Sequence, residues 1–187
     1  VRLVGSEMCI RDRGMEGASS IDVSMLKGKK LLNMDSEEEG IMLASCAGGC
    51  SSRVTLKLDK NKVTGTKLSI TLSGLTGGHS GVEIDKGRGN ANVLMSRILR
   101  DAIIDNNVYL AAFNGGRKDN AIPRECMAEI IVAADKAADV KAAIENAAKE
   151  IKEEFATSDE DLKCVVDISE GCSTEAVTYE DLSLIHI

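Results

Sequence analysis

From residue 66 onward the apolar and polar positions fall into regular periods. Leu68, Ile70 and Leu72 alternate with Lys67, Ser69, Thr71 and Ser73, which predicts a strand with one buried face. Ala91, Leu94, Met95, Ile98, Leu99 and Ala102 recur at helical spacing and predict an amphipathic helix over 90–105. Val108 to Phe113 reads as a strand, ended by Asn114-Gly115-Gly116. The single proline, Pro123, fixes the chain as it approaches another strand over 126–133. Asp135 is placed to cap a helix over 136–155, whose apolar stripe is Val140, Ile144, Ala147, Ala148, Ile151 and Phe155. Leu162 to Ile168 is the last strand. The order is βαββαβ, the ferredoxin-like arrangement of the α/β (α+β) class: an antiparallel sheet with two helices on one face. Leu68, Ile70, Leu72, Leu94, Ile98, Ile144 and Ile151 are expected to share one core. The other face and an edge strand stay open, so pairing with a second copy as a homodimer is expected.

Upstream the pattern is weaker. Ile21 to Leu26 reads as a short helix. Lys29 to Met34, Ile41 to Ala44 and Ser52 to Leu58 read as short strands, with a polar turn over 59–62. The first of these ends in four carboxylates, Asp35, Glu37, Glu38 and Glu39. Carboxylates at the C-terminal end of a strand in an α/β sheet point into the ligand crevice and can hold a cation. An acidic run is equally a solvated turn.

Between the first regular strand and the first regular helix lies Gly74-Leu-Thr-Gly-Gly-His79-Ser-Gly-Val-Glu-Ile-Asp-Lys-Gly-Arg-Gly89, with glycines at 74, 77, 78, 81, 87 and 89. Such a loop takes unusual dihedrals or approaches something closely. His79 sits in its middle. It is either bonded to its own loop, or a group for proton transfer, oxyanion stabilisation or metal ligation.

Composition narrows the field. The chain has 187 residues, 43% hydrophobic and 2% aromatic, so the core is built from aliphatic side chains and Met. A net charge of −7 argues against a nucleic-acid partner, and no apolar run reaches membrane-spanning length. The six cysteines lack zinc-ribbon spacing and read as reduced thiols of a cytosolic protein, with Cys126 and Cys164 in the core. Residues 1–13 and 182–187 lack periodicity, resemble foreign read-through, and are set aside from fold reasoning.

GMEGA (14–18), LLNMDSEEEG (31–40), CAGG (46–49), GLTGGHSGVEIDKGRGNAN (74–92) and FNGGRKDNAIPRE (113–125) closely resemble the bacterial aminoacyl-histidine (cytosol non-specific) dipeptidases. These are two-zinc metallopeptidases related to carnosinase and glutamate carboxypeptidase, and the resemblance runs from about Gly14 to Glu170. It implies a zinc-dependent enzyme that hydrolyses Xaa-His and other dipeptides in the cytoplasm, with two zinc ions per complete site. Residues 14–58 would close the first catalytic segment, a remnant of the α/β catalytic domain, and 66–168 would form most of the lid, or dimerisation, domain. By the same resemblance Asp35 is a metal ligand, His79 stabilises the oxyanion, across a dimer in some relatives, and Asn120 binds substrate. The sequence also departs from the pattern. Arg11-Asp12-Arg13 stands where the family has its paired glutamates, and Ala133 stands where relatives carry an arginine. The chain alone is therefore expected to be inactive and to retain no zinc. The alternative is a non-catalytic βαββαβ dimerisation or binding module.

Overall fold

The computed structural model describes residues 20, 22–30, 32, 39–42, 44, 50, 52–55, 57–103 and 106–178. The chain divides into two compact units, Val1–Arg53 and Val54–Ile187. In the first, the expected helix at 21–26 is a single 3-10 turn, Val23–Met25, capped by the Asp22 carboxylate accepting the Ser24 N–H. The described residues of the three upstream segments expected as strands, 29–34, 41–44 and 52–58, form none. Leu32, Met42 and Val54 are 83%, 92% and 90% exposed. Short apolar runs without a neighbouring strand to complete their backbone hydrogen bonds do not hold as strands.

The second unit holds the regular elements: β1 (Asn61–Ser73), β2 (Gly78–His79), α1 (Ala91–Ile103), β3 (Tyr109–Gly115), β4 (Ala121–Ile122), β5 (Cys126–Val132), α2 (Ala137–Glu154) and β6 (Lys163–Ala176). Four strands form an antiparallel sheet in the order β3-β5-β1-β6, which is the ferredoxin-like order expected for βαββαβ. Leu68, Ile70 and Leu72 of β1 oppose Ile130, Ala128 and Cys126 of β5, and these six, with Val132 of β5, are the sheet's buried contribution to the core. The stripes of α1 and α2 complete it, and all seven residues expected in one core are in it. Arg97 of α1 and Glu154 of α2 join the two helices by two hydrogen bonds. Cys126 is buried and Cys164 half-buried, and burial pushes both thiols up to about 11, with Glu145 adding to the effect at Cys164.

Three differences have physical causes. β1 begins at Asn61, inside the expected polar turn, and β6 runs on to Ala176. Asn61–Gly65 pair with Cys172–Ala176, beyond the point where β5 ends. Five of these ten residues are exposed and few are apolar, so there was no apolar alternation to read. Asp135 does not cap α2. It lies inside a 3-10 turn, Ala134–Lys136, that leads into the helix. Finally, Leu110 and Val177 exchange both backbone hydrogen bonds, tying the end of β6 to the edge strand β3.

The core fixes the first expectation. Ile70 is fully buried at the centre of β1. Ile70→Ala is expected to cost about 2–5 kcal/mol of unfolding free energy, measured by urea denaturation; a cost below about 1 kcal/mol would contradict this core.

Candidate functional site

The candidate site is the glycine-rich loop between β1 and α1. Its geometry starts at Gly74, where φ is +81° and a Cβ would lie 2.0 Å from the Asp161 carbonyl oxygen, so only glycine turns the chain here. Both ends of the loop then meet one buried carboxylate. Asp159 Oδ1 accepts the Thr76 N–H at 2.7 Å, and Oδ2 accepts the Gly89 N–H at 2.8 Å and the Ser158 hydroxyl at 2.9 Å. Thr76 Oγ1 donates to the Ser158 carbonyl, and Arg124 Nε donates to that of Leu75. Asp159 is 1% exposed. Burial pushes its carboxyl up, but the N–H groups of Gly89 and Thr76 and the Ser158 hydroxyl outweigh it, and the group ends below its ordinary 3.8.

Past this anchor, β2 pairs with β4, setting Gly78 opposite Ile122 and His79 opposite Ala121. The Ser80 N–H donates to the Asn120 carbonyl. The two residues singled out in the sequence on these loops, His79 and Asn120, are thus brought together, and both are exposed. The His79 N–H donates to Glu83 Oε2 at 2.9 Å, and the Glu83 N–H returns to the His79 carbonyl at 3.2 Å. The imidazole Nδ1 accepts N–H groups from Gly81 at 3.0 Å and Val82 at 3.4 Å. An Nδ1 that accepts cannot carry the proton, so the neutral ring bears it on Nε2, facing away from the turn. The loop-bonded reading of His79 is thus met at Nδ1, which ties the ring to its own turn. The same occupancy removes Nδ1 as a metal ligand.

Glu83 gathers the rest of the loop. Its Oε1 lies 2.8 Å from Lys86 Nζ and 3.1 Å from Arg88 Nη1, and Arg88 also donates to the Gly77 carbonyl. The Lys86 bond, the His79 N–H and the nearby Arg88 lower its carboxyl to about 2, so it is ionised at all working pH values. At Gly78 a Cβ would meet Arg88 Nη1 at 2.5 Å and Glu83 Oε2 at 2.7 Å; glycine makes room for the pair.

Beside the loop lies a cleft of about 550 Å³, bordered by Ser80, Arg88, Asn92, Lys118, Asp119 and Pro123 among others. Its size and mixed polar and apolar wall suit a small polar ligand. Asn92 donates weakly to the Gly115 carbonyl at 3.4 Å, while its buried Oδ1 has no partner. Asp35 lies outside the described residues. Among the described residues no group of three or more His, Cys, Asp or Glu could hold a metal ion. Sequence reading missed Glu83, Arg88 and Asp159. The first two are charges inside the glycine loop and were open to notice. Asp159 is 70 residues from its partner Gly89 and carries no local signal.

Asp159 gives a pH expectation. Its folded value lies below its unfolded one, so its stabilisation is complete above about pH 3.8 and is lost as pH falls through the folded value. Asp159→Ala is expected to cost about 3 kcal/mol near neutral pH by orphaning buried donors. The stability gap between wild type and Asp159→Asn should narrow below pH 4. Urea melts across pH check both; a gap that widens in acid would refute the assignment.

Residues 70–159 match the family described as peptidase dimerisation domain. The chain is 40% identical over 158 residues to the cytosol non-specific dipeptidase of Escherichia coli (strain K12), covering 83% of this chain and 33% of that protein. It therefore spans about a third of that relative's length. It also overlays on the aminoacylhistidine dipeptidase of Vibrio alginolyticus with a TM-score of 0.64 and 26% identity, over 70% of this chain and 27% of the other. Residues 70–159 are thus similar to the peptidase dimerisation domain family, within a chain similar to the cytosol non-specific and aminoacyl-histidine dipeptidases.

Proposed function

We propose that the chain belongs to a zinc-dependent dipeptidase acting on short peptides, Xaa-His dipeptides among them, in the cytoplasm. Residues 66–168 form its lid and 14–58 the end of a catalytic segment. The observation that carries this reading is the exposed His79, whose Nδ1 is occupied by its own turn, which leaves Nε2 as the ring nitrogen to bear the proton. A fixed donor of this kind stabilises the negative oxygen that develops when a peptide carbonyl is attacked. The relatives' names support the substrate class and the compartment.

The complete site of such an enzyme holds two zinc ions, which supply the activated water. Asp35 is the ligand assigned to this chain, and the described residues do not themselves build that centre. Their contribution is to bind and stabilise. Asn120, whose carbonyl holds Ser80, offers its exposed side-chain amide to the peptide backbone. The cleft beside it takes the rest of the dipeptide. The lid pairs with a second copy, as the family description supports, and His79 serves the partner's site.

The test is a chimaera with residues 61–178 in place of the matching segment of the Escherichia coli dipeptidase. His79→Ala is expected to lower kcat roughly 100- to 1,000-fold while KM and zinc content hold, because the donor meets its oxygen only in the transition state. Mixing these subunits with subunits dead at the zinc site should partly restore activity. An unchanged kcat would remove the role; unrestored activity would place His79 in its own subunit. The 187-residue chain by itself is expected to hydrolyse no dipeptide and to retain little zinc. Two tightly held zinc ions per chain on metal analysis would contradict that expectation.

A further inference from the structure

We propose that Glu83 is a positioning residue that sets the tautomer and aim of His79, with Arg88 as the counter-charge that holds Glu83 in place. It rests on the proposed donor role only for its consequence in catalysis; the geometry stands by itself.

The turn from His79 to Glu83 is closed twice, once by the backbone (Glu83 N–H to the His79 carbonyl) and once by the side chain (His79 N–H to Glu83 Oε2). Between these two closures lie Gly81 and Val82, whose N–H groups point at Nδ1. The imidazole is thus held by two amides that lie inside the turn Glu83 closes. Were the carboxylate lost, the His79 N–H would lose its acceptor, one of the two closures would go, and the two amides would no longer converge on Nδ1. The proton could then sit on either ring nitrogen.

Glu83 in turn depends on Arg88. The guanidinium bridges Glu83 Oε1 and the Gly77 carbonyl, across the strand residue Gly78. Lys86 adds a bond, but at 49% exposure it is the looser partner, against 20% for Arg88. A surface ion pair alone contributes little. Here its product is geometric: a carboxylate oxygen fixed where one backbone N–H needs it. Orienting partners of this kind act on chemistry through placement.

The chain has two histidines, His79 and His186, so ring-nitrogen NMR of the full 187-residue chain reads His79 directly once His186→Gln removes the other signal. Above the imidazole's titration, the wild-type ring should show a bare Nδ1 and a protonated Nε2 as two widely separated resonances. In Glu83→Ala the pair should move together as the tautomers mix, and the Gly81 and Val82 amides should exchange faster with solvent. Glu83→Gln keeps an oxygen for the His79 N–H and should restore most of the separation; Arg88→Met should lose part of it. A role in stability alone would lower the melting temperature of Glu83→Ala and leave the ring resonances in place. That result, or a wild-type ring protonated on Nδ1, would overturn the proposal. A tautomer that responds to Glu83, in a protein whose kcat ignores His79→Ala, would instead overturn the donor role and leave Glu83 as the device that sets the ring.

Discussion

Everything at the candidate site depends on one buried carboxylate. Asp159 sits at the corner where α2 ends and β6 is about to begin, and its two oxygens take the backbone N–H groups of Thr76 and Gly89 together with the Ser158 hydroxyl. Thr76 and Gly89 are the two ends of the glycine-rich loop. A flexible loop loses little by being long, provided its ends are pinned. Here they are pinned to the same side chain, and that side chain belongs to the packed layer, because α2 is seated on the sheet through Val140, Ile144 and Ile151. Burying a charge is costly unless it is fully hydrogen-bonded. Asp159 meets that condition, which is why its carboxyl lies below its ordinary value despite burial.

From this anchor outward the loop is held by progressively weaker and more exposed devices. Arg124 grips the Leu75 carbonyl, Arg88 grips that of Gly77, and Glu83 closes the last turn from the loop's own surface. The order would suit the proposed role of His79, a group aimed at a ligand that must also approach it. A buried clamp supplies position relative to the core, and a water-facing ion pair supplies orientation without closing off the tip. The tip is therefore held by exposed hydrogen bonds and ion pairs and not by core packing, as is common for ligand-facing loops.

What could be read in the sequence follows the same gradient. The periods of β1, α1 and α2 exist because Leu68, Ile98 and Ile144 must all reach one core, so the sequence spells out the layer and its order. Beyond the core the signal stops. The ribbon of Asn61–Gly65 with Cys172–Ala176 carries few apolar side chains and is paired through its backbone, which no side-chain pattern records. The two-residue pairing of β2 with β4 is too short to have a period, yet it places His79 beside Ala121. Asp135 shows the opposite error: a residue with cap chemistry in the right place, overruled by a 3-10 turn that starts one residue earlier. Glu83 and Arg88 were visible as charges in a glycine loop, but only the fold shows them meeting over Gly78. Asp159 had no local signal at all, since its partners are brought to it by the whole βαββαβ winding.

The tautomer of His79 narrows the chemistry further than the residue type does. A loop histidine can be a base, an acid, a ligand or a neutral donor. A base with Nε2 as its acceptor would need the proton on Nδ1, where two amides already point their hydrogens. Ligation through Nδ1 fails for the same reason, and ligation through Nε2 would require that nitrogen to surrender its proton with no neighbour at Nδ1 able to accept one. The imidazolium would place an N–H against those same amides. The arrangement that suits both amide hydrogens is the ring protonated on Nε2. A donor that is already oriented loses little freedom when charge develops in front of it, and preorganisation of that kind is where hydrogen bonds gain their catalytic effect.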